Sequence, residues 1–308
     1  MSSKPDLSII IVNWNTRQLL EGCLESIYSA PCRTTFEVWV VDNGSSDGSA
    51  DMVRSRFPQV RLLLNAENLG YGKANNQAIR ESAADTLLLL NSDTVVEPQV
   101  LDETLGLLRR RPDLGALGCT LLGADGQVQP SYAVRYPSGQ TVGTFGQQDQ
   151  DGVILCALVW GAYLMLKREV VDAIGCFDED FFMFCEDIDL CWRITEAGWK
   201  IGYYPHCTVK HIGGASRQLA GTTWCNHYLV SSQYLLCLKH GAVKRFWAER
   251  RRRLVHHRWC AFWYRVGILI GCRPELADKM SVHQVCYQLW RRFDAQAVAA
   301  SPRQGVKP

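Results

Sequence analysis

The first hundred residues alternate between two hydrophobic periods, and that alternation limits the possible folds more than any other feature of the chain. Leu7–Val12 is a β-rich apolar run, and Thr16–Ala30 follows with helical spacing at Leu19, Leu20, Cys23, Leu24 and Ile27. Phe36–Val41 reads as a second strand, Ser49–Phe57 as a helix and Val60–Leu64 as a third strand. Lys73–Ser82 is a further helix, Thr86–Leu90 a run of buried-strand type, and Pro98–Arg110 another helix. Strands that alternate with helices in units this short predict βαβ crossovers and an α/β fold, its mostly parallel sheet covered by helices on both faces.

Residues 115–170 break this rhythm, with two or three strands expected around a Gly-rich polar stretch, Pro137–Gly152, long enough to close over a substrate. An apolar run, Val153–Leu166, and a helix over Arg168–Ile174 follow. The aromatic-acidic run Phe177–Asp189 leads into a helix that stops at Gly198, Ile201–Tyr204 and Thr208–His211 are expected as short strands, and from Trp224 onward nearly everything reads helical. The expected organisation is an α/β domain over residues 1–222, with a donor half of about 1–115 and an acceptor half of about 116–222, then a helical basic extension over 223–308.

The formal charge of +2 hides an asymmetry: residues 241–308 carry 14 Lys or Arg against 4 Asp or Glu, leaving the first 240 residues at −8. A split of that size indicates a basic module with an anionic partner. The 13 cysteines are odd in number, scattered and without a C-x-x-C pair, which argues against a disulfide scaffold or a zinc ribbon and for thiols in a reducing compartment. The N-terminus lacks a signal-peptide pattern, and the apolar runs Val153–Leu166 and Val266–Cys272 fall short of the roughly 18 residues that span a bilayer. A cytoplasmic protein, peripheral on the inner face of the membrane, is the expectation.

Open parallel sheets bind ligands beyond the carboxyl ends of their strands. Those ends here are Asn13-Trp14-Asn15, Asp42–Gly48, Asn65 with Asn68-Leu69-Gly70-Tyr71-Gly72-Lys73, and Asn91-Ser92-Asp93. Asn, Asp and Gly collect at turns of any kind, but four polar rims in succession, one holding Trp14 and one Lys73 among glycines, favour a ligand site. A dinucleotide-binding G-x-G-x-x-G after the first strand is missing, as is a pyrophosphorylase's Gly-rich loop, and Gly70–Ala74 lacks the spacing and hydroxyl of a Walker motif. The sharpest signal is Phe177–Asp189, with six acids among bulky apolar residues. Helix-start preferences explain Asp189 and Asp178. They do not explain Glu186-Asp187 between Phe184 and Ile188, where apolar bulk raises a carboxylate toward a general base's working range.

Together, Leu7–Asn15, Asp42–Asp47, Asn68–Asn76, Leu87–Asp93, Gly161-Ala162 and Phe177–Arg193 resemble family 2 inverting glycosyltransferases of the GT-A fold, and within them bacterial rhamnosyltransferase-like enzymes of cell-surface polysaccharide synthesis. The resemblance implies transfer of one sugar, L-rhamnose from dTDP-rhamnose in the first instance, from a nucleotide-sugar donor to a hydroxyl of a lipid-linked saccharide acceptor. A UDP-sugar donor (galactofuranose, hexose or N-acetylhexosamine) and a catalytically silent nucleotide-sugar-binding protein are the alternatives. It further implies that Val12, Trp14, Asp42, Asn68, Gly70, Lys73, Asn76, Asn91 and Ser92 bind the donor, and that Trp160, Gly161 and Ala162 line the acceptor side. Asp187 would be the base and Glu186 its neighbour on the acceptor hydroxyl. A divalent metal, Mg2+ or Mn2+, would sit on the diphosphate, held by Asp93 and His211; Asn91 stands where the family's D-x-D motif has its first Asp. In the basic tail, Lys244, Arg245, Arg250–Arg253, Arg258 and Arg265 interleave with Phe246, Trp247, Trp259, Phe262, Trp263 and Tyr264. An anionic membrane surface is the partner this pattern fits, and no nucleic-acid motif accompanies it.

Overall fold

The computed structural model describes residues 4–136, 147–213, 222–269 and 276–300. The Gly-rich stretch expected as a closing loop therefore lies largely outside the described residues. The first half runs β1 (Leu7–Asn13), α1 (Arg17–Ile27), β2 (Phe36–Asp42), α2 (Ser49–Arg56), β3 (Arg61–Leu64), α3 (Tyr71–Glu81), β4 (Thr86–Asn91), β5 (Thr94–Val95) and α4 (Pro98–Arg110). Then come β6 (Leu114–Leu122), β7 (Val128–Gln129), β8 (Tyr132–Ala133), β9 (Ile154–Cys156), β10 (Leu158–Val159), β11 (Tyr163–Lys167), α5 (Arg168–Ile174), α6 (Glu186–Glu196) and β12 (Lys200–His211).

The main sheet has the order β3-β2-β1-β4-β11-β6-β12-β5. β3, β2, β1 and β4 are mutually parallel, so their carboxyl ends share one edge. The chain builds outward from β1 to β3 and then returns to β4 on the other side, which makes the β1/β4 boundary a topological switch point. Period-two alternation sorts the strands' apolar residues onto two faces. Ile9, Ile11, Val38, Val40, Leu88 and Leu90 pack under Leu20 and Leu24 of α1, Met52 and Val53 of α2 and Leu101 and Leu105 of α4. Ile10, Trp39, Val41, Leu87 and Leu89 pack on the opposite side with Ala74 and Ala78 of α3 and Leu190 and Ile194 of α6. Each such aliphatic side chain, fully buried, stabilises by about 1.5–3 kcal/mol.

The mostly parallel sheet that the sequence implies is present, with β11 entering antiparallel between β4 and β6. One expectation needs correction. The segments expected as two strands, Ile201–Tyr204 and Thr208–His211, are one strand, β12, whose register against β6 shifts between Tyr204 and Thr208. Pro205, with no N–H to donate, sits inside that shift. The run Val153–Leu166 likewise divides into β9, β10 and β11.

The chain separates into two compact units, Met1–Phe182 with Glu186–Leu219, and Met183–Cys185 with Ala220–Pro308. The second contains α7 (Thr222–Lys239), α8 (Val243–Leu269), α9 (Leu276–Arg292) and α10 (Ala295–Ala300). Its core is aromatic, with Tyr234, Phe246 and Trp290 packed together with Val230 and Cys237. Among the described residues no helix is long and apolar enough to cross a membrane.

Candidate active site

At the switch point, the rims of β1, β2 and β4 are tied by side chains. Thr16 Oγ1 donates to Asn13 Oδ1 at 2.7 Å and lies 2.9 Å from Ser92 Oγ, joining the β1 and β4 ends. Asp42 is buried and accepts from Ser45 N at 2.9 Å and Asn13 Nδ2 at 3.2 Å. Val12 and Trp14 are half-buried beside them. Asn68 bridges the next turn, its Oδ1 accepting from Asn43 Nδ2 at 2.8 Å and from Gly70 N at 2.9 Å. Gly70 has φ +88°, and a Cβ there would lie 2.3 Å from Phe182 O, so only glycine fits. Lys73 is exposed in the first turn of α3.

Asn76 is placed differently from the other polar residues of this region. It is buried, its Nδ2 donates to Phe177 O at 2.9 Å and its Oδ1 accepts from Phe177 N at 3.0 Å. Both ends of its amide thus fasten the acidic segment to α3, and Ser92 is similarly spent inside the β1–β4 junction.

That fastening positions the carboxylate pair at the start of α6. Phe184 and Cys185 precede it with φ of 68° and 66°, two consecutive bulky residues in the left-handed region. Such backbone is costly and concentrates at functional sites. Asp187 Oδ2 accepts from Gly161 N at 3.1 Å and Oδ1 from Ile188 N at 2.9 Å. Burial raises Asp187 above the ordinary carboxylate range, against those two N–H donors. Burial and the adjacent Asp187 charge push Glu186 up further, and Glu186 Oε2 has no hydrogen-bond partner among the described residues. Of two neighbouring carboxyls, Asp187 is the more readily ionised and Glu186 the one kept protonated. Asp189, by contrast, is a buried structural acid paired with Arg193 Nε at 2.8 Å.

Tyr71 links this centre to the rest. Its hydroxyl donates to Gly161 O at 3.0 Å, so the Gly161 residue is held from both sides, by Tyr71 and by Asp187. Burial, then the charges of Glu186, Asp187 and Asp93, drive the Tyr71 phenol far above its usual range. Trp160, next to Gly161, is 37% exposed, and Ala162 O accepts from Asn91 N at 3.1 Å.

The last strand completes the site. β12 pairs antiparallel with β5, placing His211 opposite Thr94. His211 Nε2 lies 3.4 Å from Asp93 Oδ1 and 3.4 Å from Asn91 Nδ2. Gln129 Oε1 is 2.8 Å from His211 Nδ1, while Gln129 Nε2 donates to His211 O at 3.0 Å. Nδ1–H donation to Gln129 leaves Nε2 with its lone pair facing Asp93. Gly213 N donates to Asp93 Oδ2 at 3.1 Å. Tyr71 and Gln129 escaped sequence reasoning: Tyr71 sits inside a motif read for its glycines, and Gln129 carries no local signal.

Polar strand ends at the switch point of a β3-β2-β1-β4 sheet, with an acid pair at the start of α6, define an α/β fold of the GT-A class. Solved structures agree on the fold. GalNAc-T7 with UDP, GalNAc and Mn2+ superposes with a TM-score of 0.60 at 14% identity, over 77% of this chain and 48% of that one. The mannosyltransferase PcManGT from Pyrobaculum calidifontis with GDP-Man and Mn2+ gives 0.58 at 16% identity, over 94% and 86%. The chain belongs to the glycosyltransferase-like family 2, whose family model matches residues 5–223. It is 33% identical over 232 residues to the N-acetylglucosaminyl-diphospho-decaprenol L-rhamnosyltransferase of Mycobacterium tuberculosis, covering 67% of this chain and 75% of that protein. It is 29% identical over 245 residues to the O-antigen biosynthesis protein RfbC of Myxococcus xanthus, covering 75% of this chain and 19% of RfbC.

Proposed function

We propose that this transferase moves L-rhamnose from dTDP-rhamnose to a hydroxyl of a lipid-linked saccharide, with inversion, and that Asp187 is the general base. The observation that carries the mechanism is the asymmetric acid pair: a half-buried Asp187 oriented by two backbone N–H groups beside a buried Glu186 whose Oε2 has no hydrogen-bond partner among the described residues. A positioned carboxylate raised toward the working pH deprotonates an attacking hydroxyl efficiently. Inversion in one displacement then needs no covalent intermediate. Glu186, protonated, is suited to hydrogen-bond the acceptor, and Trp160 to pack on a sugar face. The rhamnosyltransferase relative, named for a lipid-linked N-acetylglucosaminyl acceptor, supports both the sugar and the acceptor class.

The fold's metal is tested by the donor set. Asp93 and His211 present a carboxylate oxygen and an imidazole nitrogen 3.4 Å apart. Gln129 fixes the imidazole in the tautomer a ligand needs. Oxygen and nitrogen donors suit Mn2+ or Mg2+, and the residues present fit such an ion, which two of the solved neighbours contain as Mn2+. When bound, it would neutralise charge on the donor diphosphate. This chain's own contributions on the donor are Trp14 at the base, Asp42 and Asn68 along the ribose path, and the Lys73 ammonium for phosphate.

The helical unit supports membrane docking. On α8, Val255, Trp259, Phe262 and Trp263 stand at i, i+4, i+7 and i+8 and are 65%, 61%, 56% and 51% exposed, an apolar stripe on one helix face. Arg251, Arg252, Arg258 and Arg265 are exposed on the same helix. Aromatics beside exposed arginines match the interface of an anionic bilayer, where a lipid-linked acceptor resides.

The test is incubation of the purified protein with dTDP-rhamnose, UDP-sugars or GDP-mannose, Mn2+ and a short lipid-diphosphate N-acetylglucosamine acceptor. Rhamnosylated product of inverted anomeric configuration is expected. Transfer from a UDP-sugar alone would replace the donor assignment, and donor binding without turnover would make the protein a nucleotide-sugar binder.

A further inference from the structure

In the sequence His256, His257 and His283 belong to no motif, yet the helical unit brings them together around a cysteine. His256 and Cys260 stand at i and i+4 on α8 and so share one face. His283 comes from α9. One donor atom from each of His256, Cys260 and His283 lies within 4.8 Å of the others, and Cys260 Sγ is 3.7 Å from His256 Nε2. His257 Nδ1 lies 2.9 Å from His283 Nδ1. When His283 Nδ1–H donates across that distance to His257 Nδ1, His283 Nε2 keeps its lone pair for a metal ion. Outer partners fix metal-binding imidazoles in this way. The cluster is partly accessible, with Cys260 and His283 half-buried and His256 exposed, so an ion has an entry path.

We propose that His256, Cys260 and His283 bind one divalent transition-metal ion of the Zn2+ class, clamping α8 to α9. Two imidazoles and a thiolate are borderline-soft donors that select Zn2+ over Mg2+ or Ca2+. On binding, the Cys260 S–H bond breaks, its proton leaves to solvent and the thiolate forms the metal–sulfur bond. The thiolate's charge also offsets part of the positive charge that Arg251, Arg252, Arg253 and Arg258 give the same helix. Three protein ligands leave a fourth position for water. This site is separate in chemistry from the Asp93–His211 pair, which has no sulfur.

That difference makes the test selective. The protein, freed of metal with a chelator, is titrated with Co2+, whose thiolate-to-metal charge-transfer absorption reports a cysteine ligand. One equivalent should saturate the band in the wild type and equally in Asp93→Ala. Zn2+ should abolish the band and raise the wild type's melting temperature. Cys260→Ser should lose the band and the Zn2+-induced thermal shift, and His256→Ala should weaken Co2+ binding at least about tenfold. No charge-transfer band in the wild type, or a band undiminished in Cys260→Ser, overturns the proposal.

Discussion

Replacing Asp187 with Asn keeps the side chain's size and removes its charge. The native carboxylate accepts Gly161 N–H at 3.1 Å with one oxygen and Ile188 N–H at 2.9 Å with the other. An amide can accept only one of these and must turn its NH2 toward the second. One backbone donor is stranded, at a cost of about 1–3 kcal/mol, offset in part because a half-buried charge disappears. The net change in folding stability should be about 1 kcal/mol, or roughly 2–4 °C in melting temperature. Turnover should fall far more, by about 10²–10⁴-fold or roughly 3–5 kcal/mol of barrier, with the donor KM nearly unchanged. The pH profile adds a second readout. Asp187 must be ionised to accept a proton and is raised by burial, so wild-type turnover should fall as pH drops through a value above the ordinary carboxylate range. In the variant that limb should vanish. Removing the Asp187 charge also relieves the repulsion on Glu186, so any rescue by Glu186 would show as residual activity that Asp187→Asn/Glu186→Gln eliminates. Single-turnover product formation across about pH 5–9 measures all of this. Turnover within tenfold of the wild type would refute the base assignment.

Glu186 is raised in the folded state, which binds more protons there than the unfolded chain does, so stability is lost as pH climbs from the unfolded carboxylate range through the raised value. Glu186→Gln should therefore melt higher than the wild type at pH 8 and lose that advantage at pH 4, read by thermal scans in matched buffers. Asp93→Ala should abolish Mn2+-dependent protection by nucleotide sugars in a thermal-shift assay and His211→Ala should reduce it less; full activity in a chelator would remove the metal from the mechanism. Gly70→Ala forces a Cβ to within 2.3 Å of Phe182 O at φ +88°, and should cost at least about 2 kcal/mol in urea unfolding. Arg251→Gln/Arg258→Gln/Arg265→Gln should weaken co-sedimentation with anionic vesicles by up to about 3 kcal/mol at low salt, less at high salt. Arg250 and Arg253 are left intact because they donate to Arg291 O at 3.1 Å and pair with Glu249 at 2.7 Å, within the helical unit itself. Equal sedimentation of variant and wild type would assign the exposed arginines another role.

The βα framework was legible because its signals are local. Ile9, Ile10 and Ile11 need only a two-residue period to be sorted onto opposite faces, and the helix over Pro98–Arg110 has the bounds its sequence implies. The antiparallel entry of β11 was not legible, since strand direction is decided by partners far along the chain. The site divides in the same way. Glu186-Asp187 stood out because two acids among Phe184 and Ile188 contradict their surroundings. Gln129 and Tyr71 did not, because their roles exist only once His211 and Gly161 arrive. Asp42 and Asn76 mark the limit of residue type as a guide. It says which bonds a side chain can make, whereas the fold decides whether backbone or ligand reaches it first, and for Asn76 the Phe177 backbone does.

The pairing of β5 with β12 sets a timetable for the molecule's birth. Asn13, Asp42 and Asn68 are all made within the first hundred residues, and the strands that carry the β1–β4 rim need nothing later to pair. His211 reaches Asn91 across 120 residues of chain. At roughly 5–20 residues per second of synthesis, that interval lasts about 6–24 seconds. During it, the emerging polypeptide has its polar β1–β4 rim and an Asp93 still lacking its imidazole. The Asp93–His211 pair is thus a completion mark: it exists only in a chain whose last strand has docked past the shift at Tyr204/Thr208. Truncated products ending before that strand carry the rim without the pair.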